Sequence, residues 1–175
     1  MLKRHAWTIA AVAALLVLLA LAWRSPDRPK TLSDHEAAGA MRHITTSDIV
    51  TLQLATPQRT LGLERSGAGW QRAGAGDPVD AATGEAIETG LRLLHNASPE
   101  RGFDSAAPAF GLAPPALTVH ASTADGRVFE IAFGATNPLG LARYVRTRSD
   151  GIDALLLMPG YVAEGWEQLI AKEPR

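Results

Sequence analysis

Leu117-Thr-Val-His-Ala-Ser-Thr-Ala-Asp-Gly-Arg-Val-Phe-Glu-Ile-Ala-Phe133 decides the fold. Apolar and polar residues alternate on both sides of Asp125-Gly126, the period of a strand with one buried face. A two-residue loop would set Phe129, Ile131 and Phe133 opposite Ser122, His120 and Thr118, apolar beside polar on every rung. A three-residue loop, Ala124-Asp125-Gly126, instead pairs Ala121 with Phe129, Val119 with Ile131 and Leu117 with Phe133. Register follows burial, and such a loop ends on a left-handed residue, for which Gly126 is suited. The stretch therefore predicts a hairpin with Phe129, Ile131 and Phe133 in the core.

The same period extends outward. Leu117 to Ser122, Arg127 to Phe133, Ala142 to Arg148 and Ile152 to Met158 read as four strands, with a second hairpin at Asp150-Gly151. Upstream, Ile49-Val50-Thr51-Leu52-Gln53-Leu54 alternates, Ile49 facing away from Val50, Leu52 and Leu54. Thr60 to Arg65 alternates too, Ser66 to Gly69 is a turn, and Trp70-Gln71-Arg72 begins a further strand. Asp80 is placed to cap a helix running to about His95, with Ile87, Leu91 and Leu94 as its apolar stripe. Val162, Trp166, Leu169 and Ile170 form one face of a closing helix that begins near Pro159. The expected fold is α+β: a mainly antiparallel sheet of hairpins over residues 48–175, with a central and a C-terminal helix packed on it.

The N-terminus reads differently. Ala6 to Trp23 is a run of 18 uncharged residues, preceded by Lys3, Arg4 and His5 and followed by Arg24. At ~1.5 Å per residue the run is ~27 Å long, close to the ~30 Å hydrocarbon core of a bilayer. Trp7 and Trp23 stand at its ends, where aromatics settle among headgroups. Ala20-Leu21-Ala22 also fits a signal-peptide cleavage site. The bulky Trp23 after that site favours a retained anchor over residues 1–24. Residues 25–47 read as a linker, with a capping box at Ser33-Asp34-His35-Glu36 and a short helix to about His43. A signal-like start exports the chain downstream of it, so the expected location is a bacterial inner membrane, single-pass, with the domain on the periplasmic side.

Composition narrows the function. Seventeen Lys and Arg balance eighteen Asp and Glu, which is not the footprint of a general nucleic-acid binder. The chain has no cysteine, so no disulfide, Cys-ligated zinc or thiol nucleophile is available. His35 and His43 lie too far apart in sequence for a metal pair of H-E-x-x-H spacing. No G-x-S-x-G elbow surrounds a serine. Glu85/Glu88 and Glu164/Glu167, at i, i+3, read as solvated helix faces. Gly134 to Gly140 has the glycines of a phosphate loop but not its lysine, and a strand rather than a helix comes after it. No catalytic, metal or cofactor-binding residue is predicted, and no enzyme activity. Arg143, Arg146 and Arg148 make one strand basic, with Arg146 and Arg148 on one face and Arg143 on the other. They read as protection of an edge strand, or as a docking strip for an acidic partner, glycan or lipid headgroup. In the docking reading, reversing Arg146 and Arg148 would weaken capture and leave the fold nearly unchanged.

Phe110-Gly111-Leu112-Ala113-Pro114-Pro115 carries a G-L-x-x-P signature. A strand, the Asp125-Gly126 hairpin, Ile131-Ala132-Phe133-Gly134, Pro138-Leu139-Gly140 and Tyr144-Val145 come after it, and Trp70 ends a hairpin before the helix at Asp80. This order, over Ile49 to Met158, resembles domain-of-unknown-function family 4340 of bacterial membrane-anchored proteins. The resemblance transfers no catalytic residue. It implies an accessory role in an envelope complex, since some members resemble accessory parts of ABC-type export or gliding-motility-like systems. The function expected is a membrane-anchored, non-catalytic domain that binds envelope proteins, or else a module for a glycan or lipid headgroup.

Overall fold

The computed structural model describes residues 44–67 and 69–172. The expected anchor, the linker up to His43 and the Ser33 capping box lie outside the described residues. A single 3-10 turn, Thr46–Asp48, leads into β1 (Ile49–Ala55), β2 (Thr60–Ser66) and β3 (Gly69–Arg72). Helix α1 (Ala81–Asn96) comes next, then the short β4 (Arg101–Phe103) and a second 3-10 turn, Pro108–Phe110. The chain closes with β5 (Leu117–Thr123), β6 (Val128–Thr136), β7 (Ala142–Ser149), β8 (Ile152–Pro159) and α2 (Tyr161–Lys172). The strands form one eight-stranded sheet in the order β3-β2-β1-β5-β6-β7-β8-β4, and every pairing is antiparallel.

The hairpin that decides the fold has the register expected of it. Leu117 pairs with Phe133, Val119 with Ile131 and Ala121 with Phe129, and all six are buried. Gly126 takes φ 85°, the left-handed residue that closes a three-residue loop. At the β7–β8 turn, Ser149 pairs with Ile152 around Asp150 (φ 48°) and Gly151 (φ 81°). Both central residues at positive φ make a type I′ turn, whose twist matches that of the strands.

One face of the sheet carries the core. Leu52, Leu54, Leu63, Leu117, Val119, Phe129, Ile131, Phe133, Val145, Leu156 and Met158 meet Ile87, Leu91 and Leu94 of α1 and Val162, Trp166, Leu169 and Ile170 of α2. Asp80 caps α1 as expected: its Oδ1 accepts the Thr83 backbone N–H at 2.9 Å and its Oδ2 the Thr83 hydroxyl at 2.8 Å. Where α1 and α2 touch, Trp166 lies on Gly90. A Cβ added at Gly90 would come within 2.5 Å of the Trp166 ring.

Two local expectations change. Ile49 is fully buried rather than facing away from Leu52 and Leu54. The pairing of β1 with β5 slips by one residue between Ile49 and Thr51. This bulge at Val50 rotates Ile49 onto the inner face. Gly134 to Thr136, expected in a loop, extend β6 through a second bulge between Phe133 and Thr136. Gly134 and Gly111 let the Phe110-Gly111-Leu112 segment lie directly on the sheet. A Cβ at Gly134 would sit 2.1 Å from the Phe110 carbonyl oxygen, and one at Gly111 2.9 Å from the Ala135 nitrogen.

Two glycine-to-alanine variants separate these effects. Gly134→Ala forces backbone apart and should lower stability by about 2 kcal/mol. Gly165→Ala, inside α2 with no atom within 4 Å of its added Cβ, should raise stability by ~0.5–1 kcal/mol through helix propensity. Thermal melts of both against the parent chain check the opposite signs.

Candidate functional site

Three surface regions concentrate chemistry. The first is a groove of about 830 Å³ between β3 and the first three turns of α1, whose lining includes Trp70, Gln71, Asp80, Glu85, Glu88 and Arg92. Its inner wall is rigidly built. Trp70 is 3% exposed and its indole N–H donates to Glu88 Oε1 at 2.8 Å. Arg65 contacts the same carboxylate at 2.8 Å and lies 4.5 Å from the centroid of the Trp70 ring. The Arg65 guanidinium also donates to the Ile49 and Thr46 carbonyls, which ties the groove to the start of the described chain. Glu88 is therefore held by two donors and is not the free surface carboxylate its sequence position suggests. Glu85, one turn earlier, is exposed.

The second region is the sheet face turned away from the helices. Arg143, Arg146 and Arg148 all stand on β7, which lies between β6 and β8. The edge-strand reading of these arginines is thereby corrected: β3 and β4 are the edges, and β7 has no free edge to protect. Arg146 and Arg148 share the open face as expected, and each meets carboxylates of the neighbouring strands. Arg146 Nε donates to Asp153 Oδ1 at 2.8 Å, and Arg148 bridges Glu130 at 2.9 Å and Asp153 at 3.5 Å. His120 of β5 extends the ladder, 3.9 Å from Glu130. Ser122 and Thr51 share a hydrogen bond farther along the same face. Arg143, on the helix side, pairs with Glu167 of α2 and donates to the Thr136 hydroxyl. Glu167, like Glu88, is engaged by the fold. The far end of the open face is covered by Phe103, Phe110 and Tyr144, with Phe110 and Tyr144 stacked at 4.1 Å.

The third region is the β6–β7 turn, which the sequence marks only by its glycine and proline. Asn137 organises it. Its N–H donates to the Ala142 carbonyl at 2.7 Å, and its Oδ1 accepts the N–H groups of Leu141 and Ala142 at 3.0 and 3.2 Å. Gly140, at φ 75°, returns its N–H to the Asn137 carbonyl. The turn holds Leu139 78% and Leu141 72% exposed, beside Tyr161 at 50%. The Leu141 carbonyl accepts from Gly160, the residue before Tyr161, so the three side chains belong to one tip. Exposure, unlike charge, leaves no mark in the sequence, and the tip was not legible there.

Of the five histidines, His95 and His120 are described, and they are apart: His95 meets Asn96 at 2.9 Å and His120 meets Glu130. Among the described residues no group of three or more His, Cys, Asp or Glu side chains is placed to hold a metal ion. No helix among them is long and apolar enough to cross a membrane. No family model matches the chain, and neither the curated proteins nor the solved structures contain a significant match.

The ladder has consequences for acid and for charge reversal. The Arg146 hydrogen bonds, with Arg148 beside them, hold the Asp153 carboxyl below the usual carboxylate range, outweighing its slight desolvation. A carboxyl that gives up its proton more readily folded than unfolded stabilises the fold above pH ~4 and loses that contribution as pH falls through its lowered value. Asp153 is 44% exposed, so the contribution is at most ~1 kcal/mol. Melts from pH 7 down to pH ~2.5 should show Asp153→Asn less stable than the parent at neutral pH, the gap closing in acid. The expectation that reversing Arg146 and Arg148 leaves the fold nearly unchanged is revised. Arg146→Glu with Arg148→Glu sets two new carboxylates against Asp153 and Glu130. The melting temperature of that variant should fall by several degrees, and adding Asp153→Arg should restore part of the loss.

Proposed function

We propose that this chain is a membrane-anchored, non-catalytic extracytoplasmic domain that serves a bacterial envelope complex as an accessory, protein-binding element. The observation that supports this reading is the groove between β3 and α1. It is an open cleft of about 830 Å³, its inner wall is fixed by the Trp70–Glu88–Arg65 contacts, and its rim is left to solvent. Three carboxylates, Asp80, Glu85 and Glu88, and one cation, Arg92, line it, and Arg65 stands behind Glu88, which leaves the groove with a small excess of negative charge. Asp80 and Glu88 are committed to the fold, which leaves Glu85 as the group available to a visitor. A groove of this shape and sign suits a basic, extended segment of a partner protein. The order of motifs that resembles family 4340 points to the same accessory role.

The glycan or lipid-headgroup reading is weaker because the arginines it needs are engaged by Glu130 and Asp153. An incoming anion would have to displace both carboxylates.

The test is site-specific photo-crosslinking in intact membranes. A crosslinking side chain at Thr89, on the groove, should yield a discrete protein adduct, while one at Asp104, away from it, should not. Glu85→Lys should reduce the adduct by about tenfold, the effect of losing one complementary charge at an interface and adding a repulsive one. A groove position that yields no adduct above the Asp104 control would defeat the docking reading.

A further inference from the structure

We infer that the β6–β7 tip, Leu139 and Leu141 with Tyr161 beside them, is a second membrane contact, which seats itself at the headgroup–acyl boundary of a bilayer. This inference rests on the anchored reading of Ala6–Trp23. The fold has no use for the two leucine side chains. Asn137 makes the hydrogen bonds that close the turn, the Leu141 backbone carbonyl accepts one more from Gly160, and neither leucine belongs to the core. A turn built this way would close equally well with polar residues. Two large aliphatic side chains held out on a rigid turn mark a contact with something apolar.

The size of the tip selects the occupant. A standard protein interface recruits about 20–30 residues a side, and the tip offers three. It suits a shallow insertion instead: two aliphatic side chains for the acyl boundary and a tyrosine, the residue type that settles among headgroups. The neighbouring charges set the kind of bilayer surface. Arg143 is occupied by Glu167 and Thr136, and the Glu164 carboxylate is exposed near Gly160. With a carboxylate beside it and its arginine engaged, the tip should prefer zwitterionic lipid to anionic lipid.

The contact is weak by itself. The tip carries less apolar surface than a myristoyl chain, whose membrane binding constant is only on the order of 10⁴ M⁻¹ and which needs a second signal for stable attachment. In this chain the anchor is that other signal, and it holds the tip at high effective concentration. The covalent reach is sufficient. Twenty residues, Arg24 to His43, separate the apolar run from the described chain, and they can span roughly 65 Å when extended. The tip lies at the opposite end of β6 from the turn that meets Asp48, a strand length of roughly 30 Å. Seating the tip would fix which side of the domain faces the membrane and which side faces a partner.

Because the chain has no cysteine, one environment-sensitive dye reports on one site. The full chain is reconstituted into phosphatidylcholine vesicles with the dye on Leu139→Cys, and in parallel on Ile152→Cys at the other end of the sheet. Nitroxide-bearing lipids should quench the dye at 139 at least about twofold more than the dye at 152, and aqueous iodide should show the reverse order. Leu141→Asp in the Leu139→Cys chain should abolish the difference. Equal iodide access at 139 and 152 in protein that stays with the vesicles through a carbonate wash overturns the tip contact alone. Loss of the protein in that wash overturns the anchored reading and the tip contact together. Shielding at 139 that grows with protein density, without lipid quenching, assigns the tip to a second copy of the chain and also overturns the proposal.

Discussion

Two helices have to cover one face of eight strands, and the close contact of Trp166 with Gly90 is how they do it. Neighbouring strands lie ~4.8 Å apart, so the sheet is roughly 34 Å wide, while two helices side by side cover ~20 Å. The helices therefore crowd together over the central strands, where the largest buried side chains stand. Gly90 allows it, since any side chain there would enter the Trp166 ring. The flanks are solved separately. On one side the β2–β3 hairpin folds Trp70 and Arg65 toward Glu88 of α1, which produces the groove. On the other, β8 is bordered by the three residues of β4. Each sheet edge is short or occupied. The outer edge of β3 is taken by the backbone of Asp77 and Val79, which bond to Arg72 and Trp70, and this leaves little for another strand to pair with.

Among the described residues no helix lies on the open face, which is organised in two halves. Near the β6–β7 turn, the segment from Phe110 to Leu112 lies flat on Gly134, and Phe103, Phe110 and Tyr144 make a small satellite cluster. Toward the hairpin turns at Gly126 and Gly151, charge takes over. Glu130, Arg148, Asp153 and Arg146 alternate in sign across three adjacent strands, which is the favourable arrangement for directly opposed side chains in a sheet. A face of this kind stays in water without inviting a second sheet to stack on it.

What the sequence made legible was local chemistry. Asp80 three residues before Thr83, the alternation on both sides of Asp125-Gly126, and the Asp150-Gly151 pair each act over a few residues, and each is found where those residues dictate. What it left hidden depended on distant neighbours. Arg101–Phe103 is too short to show a period, yet its pairing with Leu155–Leu157 makes β8 an internal strand and moves the sheet edge to β4. Ile49 looks misplaced in its strand because a bulge at Val50 is specified by pairing with Thr123, more than seventy residues away. The partners of Arg143, Arg146 and Arg148 come from β6, β8 and α2, and no spacing rule along the chain would have joined them.

The same separation governs the search for function. A strand with three arginines draws the eye in a sequence because charge is visible there, but every one of those charges has a carboxylate opposite it. Glu88 and Glu167 are likewise spent on the fold. Residues whose character the fold does not require are better guides, because folding alone gives no reason for them. Glu85 on the groove and the leucines of the β6–β7 tip meet that condition. Their neighbours are held rigid, by Arg65 and Trp70 in one place and by Asn137 in the other, while the side chains themselves face solvent. A rigid mount beneath an uncommitted side chain lowers the entropy lost when something binds to it, and that is the physical mark the two regions share.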